Sequence, residues 1–273
     1  YVFFVDDFFS SDKSWLDEFK LAYKREINLP FGVEYHPNLL KPYILTTLLE
    51  SGVDTINFGI QTGSDHIRNN IFNRPGKNSE IIKIANEIAN YGINIRYDLI
   101  LNNPYESEET LRDTIKLLLR LPKPLFFFLF SFQYFPNYPF TMKSIEDGYI
   151  KDEEANVDIV ENPALKWNYT PKLLPNTKKQ QLQNIIWLMA FPGANVNDKI
   201  IKFAIFNDLF FSRLCFICLN FKAIIMGKII GIGGIIWRYR WIGILLNGFK
   251  YILKGNIKTL YMKIIKKIKH IEI

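Results

Sequence analysis

Cysteine is nearly absent from this chain: its 273 residues hold two, Cys215 and Cys218. No disulfide framework can staple such a protein, which excludes the small secreted scaffolds and points to a reducing, cytoplasmic compartment. Metal chemistry is limited by the same scarcity. In Leu214-Cys215-Phe216-Ile217-Cys218-Leu219 the C-x-x-C stands without a second pair or a nearby His, so it reads as two small apolar residues on one helix face. Long apolar runs are missing as well. Ala223 to Trp237 has 15 residues with Lys228 inside it, short of the roughly 20 that span a bilayer. Tyr1-Val2-Phe3-Phe4 meets two aspartates at once, without a basic leader or a small-residue cleavage site, so no secretory signal is visible. The chain lacks an initiating Met and opens inside what reads as a strand, so it is expected to be part of something longer. No repeat of fixed period occurs.

Apolar and aromatic residues are plentiful. Hydrophobic residues make up 48% of the chain and aromatics 15%, enough for one large core or for a core plus an appended segment. The net charge of +7 hides an asymmetry: from Arg213 to Ile273 there are 12 Lys and Arg against the single acid Glu272, whereas the rest is slightly acidic. Body and tail therefore meet different partners.

Periodicity organises the body. Tyr1 to Val5 reads as a strand, and Trp15, Leu16, Phe19, Ala22 and Tyr23 as one face of a helix. Phe31 to Tyr35 is the next strand. Pro42 suits the first turn of a helix that stops at Gly52. Asp54 to Ile60 is followed by a short helix from Ser64 to Phe72. Ile81, Ile84, Ala85 and Ile88 define another helix, with Gly92 at its left-handed cap, and Ile93 to Leu101 the fourth strand. Ser107 caps a helix with Glu108 and Glu109 in its first turn. Phe126 to Tyr134 reads as a strand buried on both faces. Five strands alternating with helices predict an α/β fold with a parallel sheet that curls like part of a barrel. After Tyr134 prolines break the pattern, and a boundary is expected near Gly148, with residues 149–273 mainly helical.

The strand-to-loop junctions carry the polar residues, and in parallel barrels ligands bind at those carboxyl ends. Asp6 and Asp7 offer carboxylates that hold an amine or a metal, or simply cap a turn. Gln61 sits between Gly59 and Gly63, which permit close backbone approach to a ribose or a carboxylate. Asp98 is one charge inside an apolar strand, costly unless it is paired with Arg96 on the same face or aimed into a polar pocket. His36 follows the second strand and reaches the same rim, or is incidental.

Four segments taken together resemble the radical S-adenosylmethionine (SAM) superfamily, in particular the branch associated with a cobalamin-binding domain. They are Phe3-Phe4-Val5-Asp6-Asp7-Phe8-Phe9, Gly59-Ile60-Gln61-Thr62-Gly63-Ser64, Asp98-Leu99-Ile100-Leu101-Asn102-Asn103-Pro104-Tyr105-Glu106 and Phe135-Pro136-Asn137-Tyr138-Pro139-Phe140-Thr141. The resemblance covers about the first 145 residues. It implies a partial (β/α)6 TIM-like barrel over residues 1–148, lacking its first strand, in which a 4Fe-4S cluster reductively cleaves SAM to a 5′-deoxyadenosyl radical. By the same resemblance Asp7 lies near the methionine amine, Gln61 near the ribose or carboxylate, and Asp98 near the ribose or substrate. Cobalamin is a further implied cofactor, and flavodoxin or ferredoxin the implied electron donor. The family's cluster-binding C-x-x-x-C-x-x-C is not in this sequence, so these residues alone are expected to be inactive.

In the tail, Ile257, Leu260, Tyr261, Ile264 and Ile268 share one helical face and lysines occupy the rest, the pattern of a helix on an anionic membrane surface. A nucleic acid is the rival partner, and a solvated helix packed on the barrel is the third reading. The leading expectation is an enzyme that modifies an unactivated carbon of a small-molecule or lipid-linked substrate, by methyl transfer or rearrangement, peripherally at the inner face of the membrane. Two alternatives stand: a non-catalytic scaffold with a degenerate barrel, and a membrane-associated glycosyltransferase using Asp6-Asp7.

Overall fold

The computed structural model describes residues 1–122, 125–151, 169 and 176–189. Cys215, Cys218 and the basic tail lie outside the described residues. Five strands, β1 (Val2–Phe3), β2 (Phe31–Tyr35), β3 (Val53–Gln61), β4 (Asn94–Leu101) and β5 (Phe126–Ser131), form one sheet in the order of the sequence, every pair parallel. Helices α1 (Lys13–Glu26), α2 (Pro42–Ser51), α3 (Asn78–Asn90) and α4 (Glu108–Arg120) make the crossovers. Two more helices follow, α5 (Pro139–Glu146) and α6 (Lys178–Met189), and α6 packs against α4.

Local sequence explains most boundaries. Asp12 starts α1 by accepting from the Trp15 backbone N–H at 2.9 Å, and Ser107 starts α4 by accepting from that of Thr110 at 3.3 Å. Gly52 ends α2 at φ +97°, a left-handed conformation that glycine adopts without a Cβ penalty. The segment after β3, read as a helix to Phe72, forms a π-helical turn at Ile67–Ile71.

The sheet has two unlike faces. Val33, Tyr35, Ile56, Phe58, Ile95, Tyr97, Leu99 and Leu101 alternate along their strands and are buried beneath the helices. The other face carries Glu34, Asn57, Gly59, Arg96 and Asp98, adjacent in register across β2, β3 and β4. That polar face curls inward. The Arg96 guanidinium on β4 lies 4.1 Å from the ring centre of Phe128 on neighbouring β5 and 4.8 Å from that of Phe3 on β1, three strands away. A flat sheet does not allow both contacts, so the strands form a curled half-barrel with a polar lumen.

One expectation is corrected here. β5 is not buried on both faces: Phe126 and Phe128 are 36% and 41% exposed. The strand is the last of the sheet, and its lumen-facing phenylalanines have no layer of described residues over them. At its outer edge the Tyr169 backbone N–H donates to the Leu129 carbonyl at 2.8 Å. Among the described residues no helix is long and apolar enough to cross a membrane.

Candidate functional site

The lumen floor is a hydrogen-bonded layer centred on Asn57, which is buried. Its amide nitrogen donates to Glu34 Oε2 at 2.7 Å and to Asp98 Oδ2 at 2.8 Å, and its amide oxygen accepts from Arg96 Nε at 3.3 Å. Arg96 and Glu34 approach no closer than 4.0 Å. The direct Asp98–Arg96 pair that their spacing offers is thus replaced by a shared asparagine. Asp98 Oδ1 remains buried with no hydrogen-bond partner among the described residues. Burial pushes the Asp98 carboxyl up to about 6, with the Glu34 charge adding to the rise and the Asn57 hydrogen bond, Arg96 and Arg74 opposing it. An orphaned acceptor at this depth marks a place for a donor from outside the chain.

Above the floor, β3 ends in a strained turn. Gln61 has φ +60°, and the Thr62 N–H donates back to the Ile60 carbonyl at 2.7 Å, closing a γ-turn around a left-handed glutamine. Such a conformation persists only where its surroundings impose it, and it aims Gln61 back over the strand end. The restraints are visible. The Gly63 N–H donates to Thr114 Oγ1 on α4 at 2.8 Å. Arg68, 2% exposed, donates to the Thr62 carbonyl and to Asn78 Oδ1, both at 2.6 Å, and to Asp65 at 2.7 Å. Asn78 in turn donates to the Gly63 carbonyl at 2.6 Å.

The same network places Arg74, which the sequence reading did not single out. Its backbone N–H donates to the Arg68 carbonyl at 2.9 Å, after Asn73 at φ +49°. Its guanidinium makes no hydrogen bond with the described residues. Burial draws its pKa down while Asp7 and Asp98 hold it up, so each of the two carboxylates lies within electrostatic reach of Arg74. A Cβ built on Gly59 would sit 2.8 Å from Gln61 Nε2 and 3.4 Å from an Arg74 terminal nitrogen, and Gly59 is the register partner of Asp98. Gln61 and Asp98 therefore flank the bare backbone of Gly59 with Arg74 beside it, and Asp7 is linked to this group through the Arg74 charge. Asp7 is exposed, in the loop after β1. His36 belongs to the scaffold: its Nδ1 accepts from the Asn38 backbone N–H at 3.3 Å, and burial first, then Arg74 and Arg68, lower its pKa. Among the described residues no three His, Cys, Asp or Glu side chains cluster closely enough to hold a metal ion, Asp6 and Asp7 included.

Behind the rim, Glu106 is 4% exposed beneath Thr62. Burial raises its carboxyl from 4.5 to about 8, opposed by Lys179 and by the Thr62 hydroxyl. The folded state holds this proton more tightly than the unfolded chain, so the associated stability is present below pH 4.5 and is lost as pH rises through about 8. The melting temperature should fall over that window. Glu106→Gln should flatten the fall, as differential scanning fluorimetry across pH would show.

The architecture is a parallel α/β half-barrel with polar groups on its lumen face and at the carboxyl ends of its strands, the place where such barrels bind ligands. Residues 1–118 match the family model of the Radical SAM superfamily. This family uses SAM and a 4Fe-4S cluster. No curated protein sequence matches the chain. Among solved structures, it is similar to the radical SAM methyltransferase TsrM from Kitasatospora setae, solved with cobalamin and a 4Fe-4S cluster bound: 16% identity over 50% of this chain and 27% of that one, TM-score 0.43. Coproporphyrinogen III oxidase HemN from Escherichia coli, a radical SAM enzyme, gives 18% identity over 67% of this chain and 38% of that one, TM-score 0.46. Elp3 from Methanocaldococcus infernus gives 17% over 53% and 35%, TM-score 0.40. The chain thus spans well under half of each of these structures. The likeness to that superfamily rests on the match to residues 1–118.

Proposed function

We propose that this chain is the cofactor-holding part of a radical SAM enzyme that modifies an unactivated carbon of a small-molecule substrate, by methyl transfer or rearrangement. The observation that carries the reading is Asp98 Oδ1, a buried acceptor without a donor, facing the bare backbone of Gly59. A ribose hydroxyl supplies the missing donor, and the absent Cβ leaves room for the sugar. Arg74, half-buried with its fork unused, suits the methionine carboxylate. Asp7, exposed beside it, suits the amine, and Gln61 the ribose edge. Charge agrees as well: Asp7, Glu34 and Asp98 against Arg74 and Arg96 leave the lumen one negative charge, and SAM carries one net positive charge at neutral pH.

Bound here and given one electron by the cluster, SAM would break a C–S bond to leave methionine and a 5′-deoxyadenosyl radical, the chemistry it would supply for abstracting hydrogen from carbon. The residues of this chain bind and orient the cofactor and, through the closed Asn57 layer, bound the lumen from below. The cluster does not fit here: its family uses three cysteines and this chain has two, spaced C-x-x-C, so its ligands belong outside these 273 residues. Cobalamin, flavodoxin or ferredoxin as electron donor, and an anionic membrane surface or lipid-linked substrate reached by the basic tail, complete the proposal.

Titration of S-adenosylhomocysteine into the chain tests it. Binding should be tight when Asp98 is ionised and should weaken as pH falls below about 6. Absence of binding at any pH would overturn the reading.

A further inference from the structure

The lumen floor holds a guanidinium whose hydrogen-bonding capacity is largely idle. Arg96 spends Nε on the Asn57 amide oxygen at 3.3 Å. The two carboxylates that would ordinarily neutralise it, Glu34 and Asp98, both take their short hydrogen bonds from the Asn57 amide nitrogen, at 2.7 and 2.8 Å. Glu34 is left 4.0 Å from the nearest Arg96 nitrogen, beyond hydrogen-bond distance. Among the described residues, neither terminal nitrogen of Arg96 has an acceptor.

Phe3 and Phe128 both contact this guanidinium through their rings, at 4.8 and 4.1 Å from the ring centres. Aromatic rings hold the cation but accept no strong hydrogen bond from its N–H groups, so an acceptor has to arrive at the guanidinium edge, in its plane. That is the approach of a carboxylate to an arginine fork. Phe126 and Phe128 lie on this same face of β5, and both are substantially exposed. An exposed aromatic wall beside an unfilled fork is complementary to a flat body that carries an anion.

We propose that this floor is a substrate subsite for a flat, aromatic carboxylic acid, its carboxylate on the Arg96 fork and its ring against Phe126 and Phe128. The inference deepens the enzyme reading and rests on the lumen being its reaction chamber. The anion site lies beneath the Arg74–Gln61 rim and does not share its donors, so the two sites are separately measurable.

The experiment titrates the chain with naphthoate, with its uncharged amide naphthamide and with cyclohexanecarboxylate, and in parallel with S-adenosylhomocysteine. Naphthoate should bind at least about tenfold more tightly than either analogue, since one loses the charge-assisted fork and the other the ring stacking. Arg96→Lys keeps the charge but removes the fork, and Phe128→Leu keeps bulk but removes the ring. Each should weaken naphthoate by about tenfold, and Phe128→Leu, which takes no part in the Asn57 layer, should leave S-adenosylhomocysteine within about threefold of wild type. Equal binding of naphthoate and naphthamide by the wild-type chain would overturn the subsite, and so would unchanged naphthoate binding in both variants. Those comparisons on the unaltered protein stand even if a variant fails to fold. Naphthoate discrimination without S-adenosylhomocysteine binding would support the subsite and overturn the cofactor reading alone.

Discussion

Gly63→Ala should lower the stability of the domain by roughly 3 kcal/mol, the upper part of the range for overpacking, and its melting temperature by roughly 10 °C. A Cβ at this position would lie 2.2 Å from the Thr114 Cα and 2.8 Å from its backbone nitrogen. Neither atom can rotate away, because both belong to the backbone of α4. Either the turn lifts off the helix, which breaks the 2.8 Å bond from the Gly63 N–H to Thr114 Oγ1, or α4 moves away from the sheet. Gly59→Ala is the natural contrast. Its nearest obstacle, at 2.8 Å, is the tip of the Gln61 side chain, which can swing. Thermal denaturation of the two variants should therefore separate a structural glycine from one that keeps the site open, with Gly59→Ala melting close to wild type.

Arg74→Leu should weaken S-adenosylhomocysteine binding by roughly 100-fold, about 3 kcal/mol, the upper range for a hydrogen-bonded charge. The fold should survive, because the Arg74 guanidinium bonds to no described residue and its position is set by backbone contacts of the 68–78 segment. Calorimetric titration measures the loss, and Arg74→Lys should recover part of it by restoring the charge without the fork. If Arg74→Leu binds as wild type, the guanidinium does not touch the ligand.

The succession of strands and helices was legible because the two faces of the sheet differ so sharply. Strands shielded by helices on one side and lining a lumen on the other alternate strictly, as Ile95, Tyr97, Leu99 and Leu101 do against Arg96 and Asp98. Asp98 stood out for the same reason: one charge among aliphatic neighbours. Glu34 carried the identical signal in Phe31-Gly32-Val33-Glu34-Tyr35 and went unread, although it shares Asn57 with Asp98. Arg74 had no such signal. It follows a π-helical turn, and its place depends on Arg68 and Asn78 binding backbone carbonyls across the loop, a tertiary arrangement that no sequence period encodes. The β5 error has a plain cause as well. A continuous run of phenylalanines reads the same whether its second face is buried in protein or turned toward an open lumen.

The central question is whether these side chains hold SAM for radical cleavage. The most direct measurement supplies the cluster-binding cysteines on a longer polypeptide containing these residues, reconstitutes it anaerobically with iron and sulfide, and adds SAM and a strong reductant. Formation of 5′-deoxyadenosine, lost in Asp98→Ala while the cluster's absorbance is retained, is the predicted result. Undiminished 5′-deoxyadenosine from Asp98→Ala, or none from the unaltered protein with its cluster intact, would contradict it.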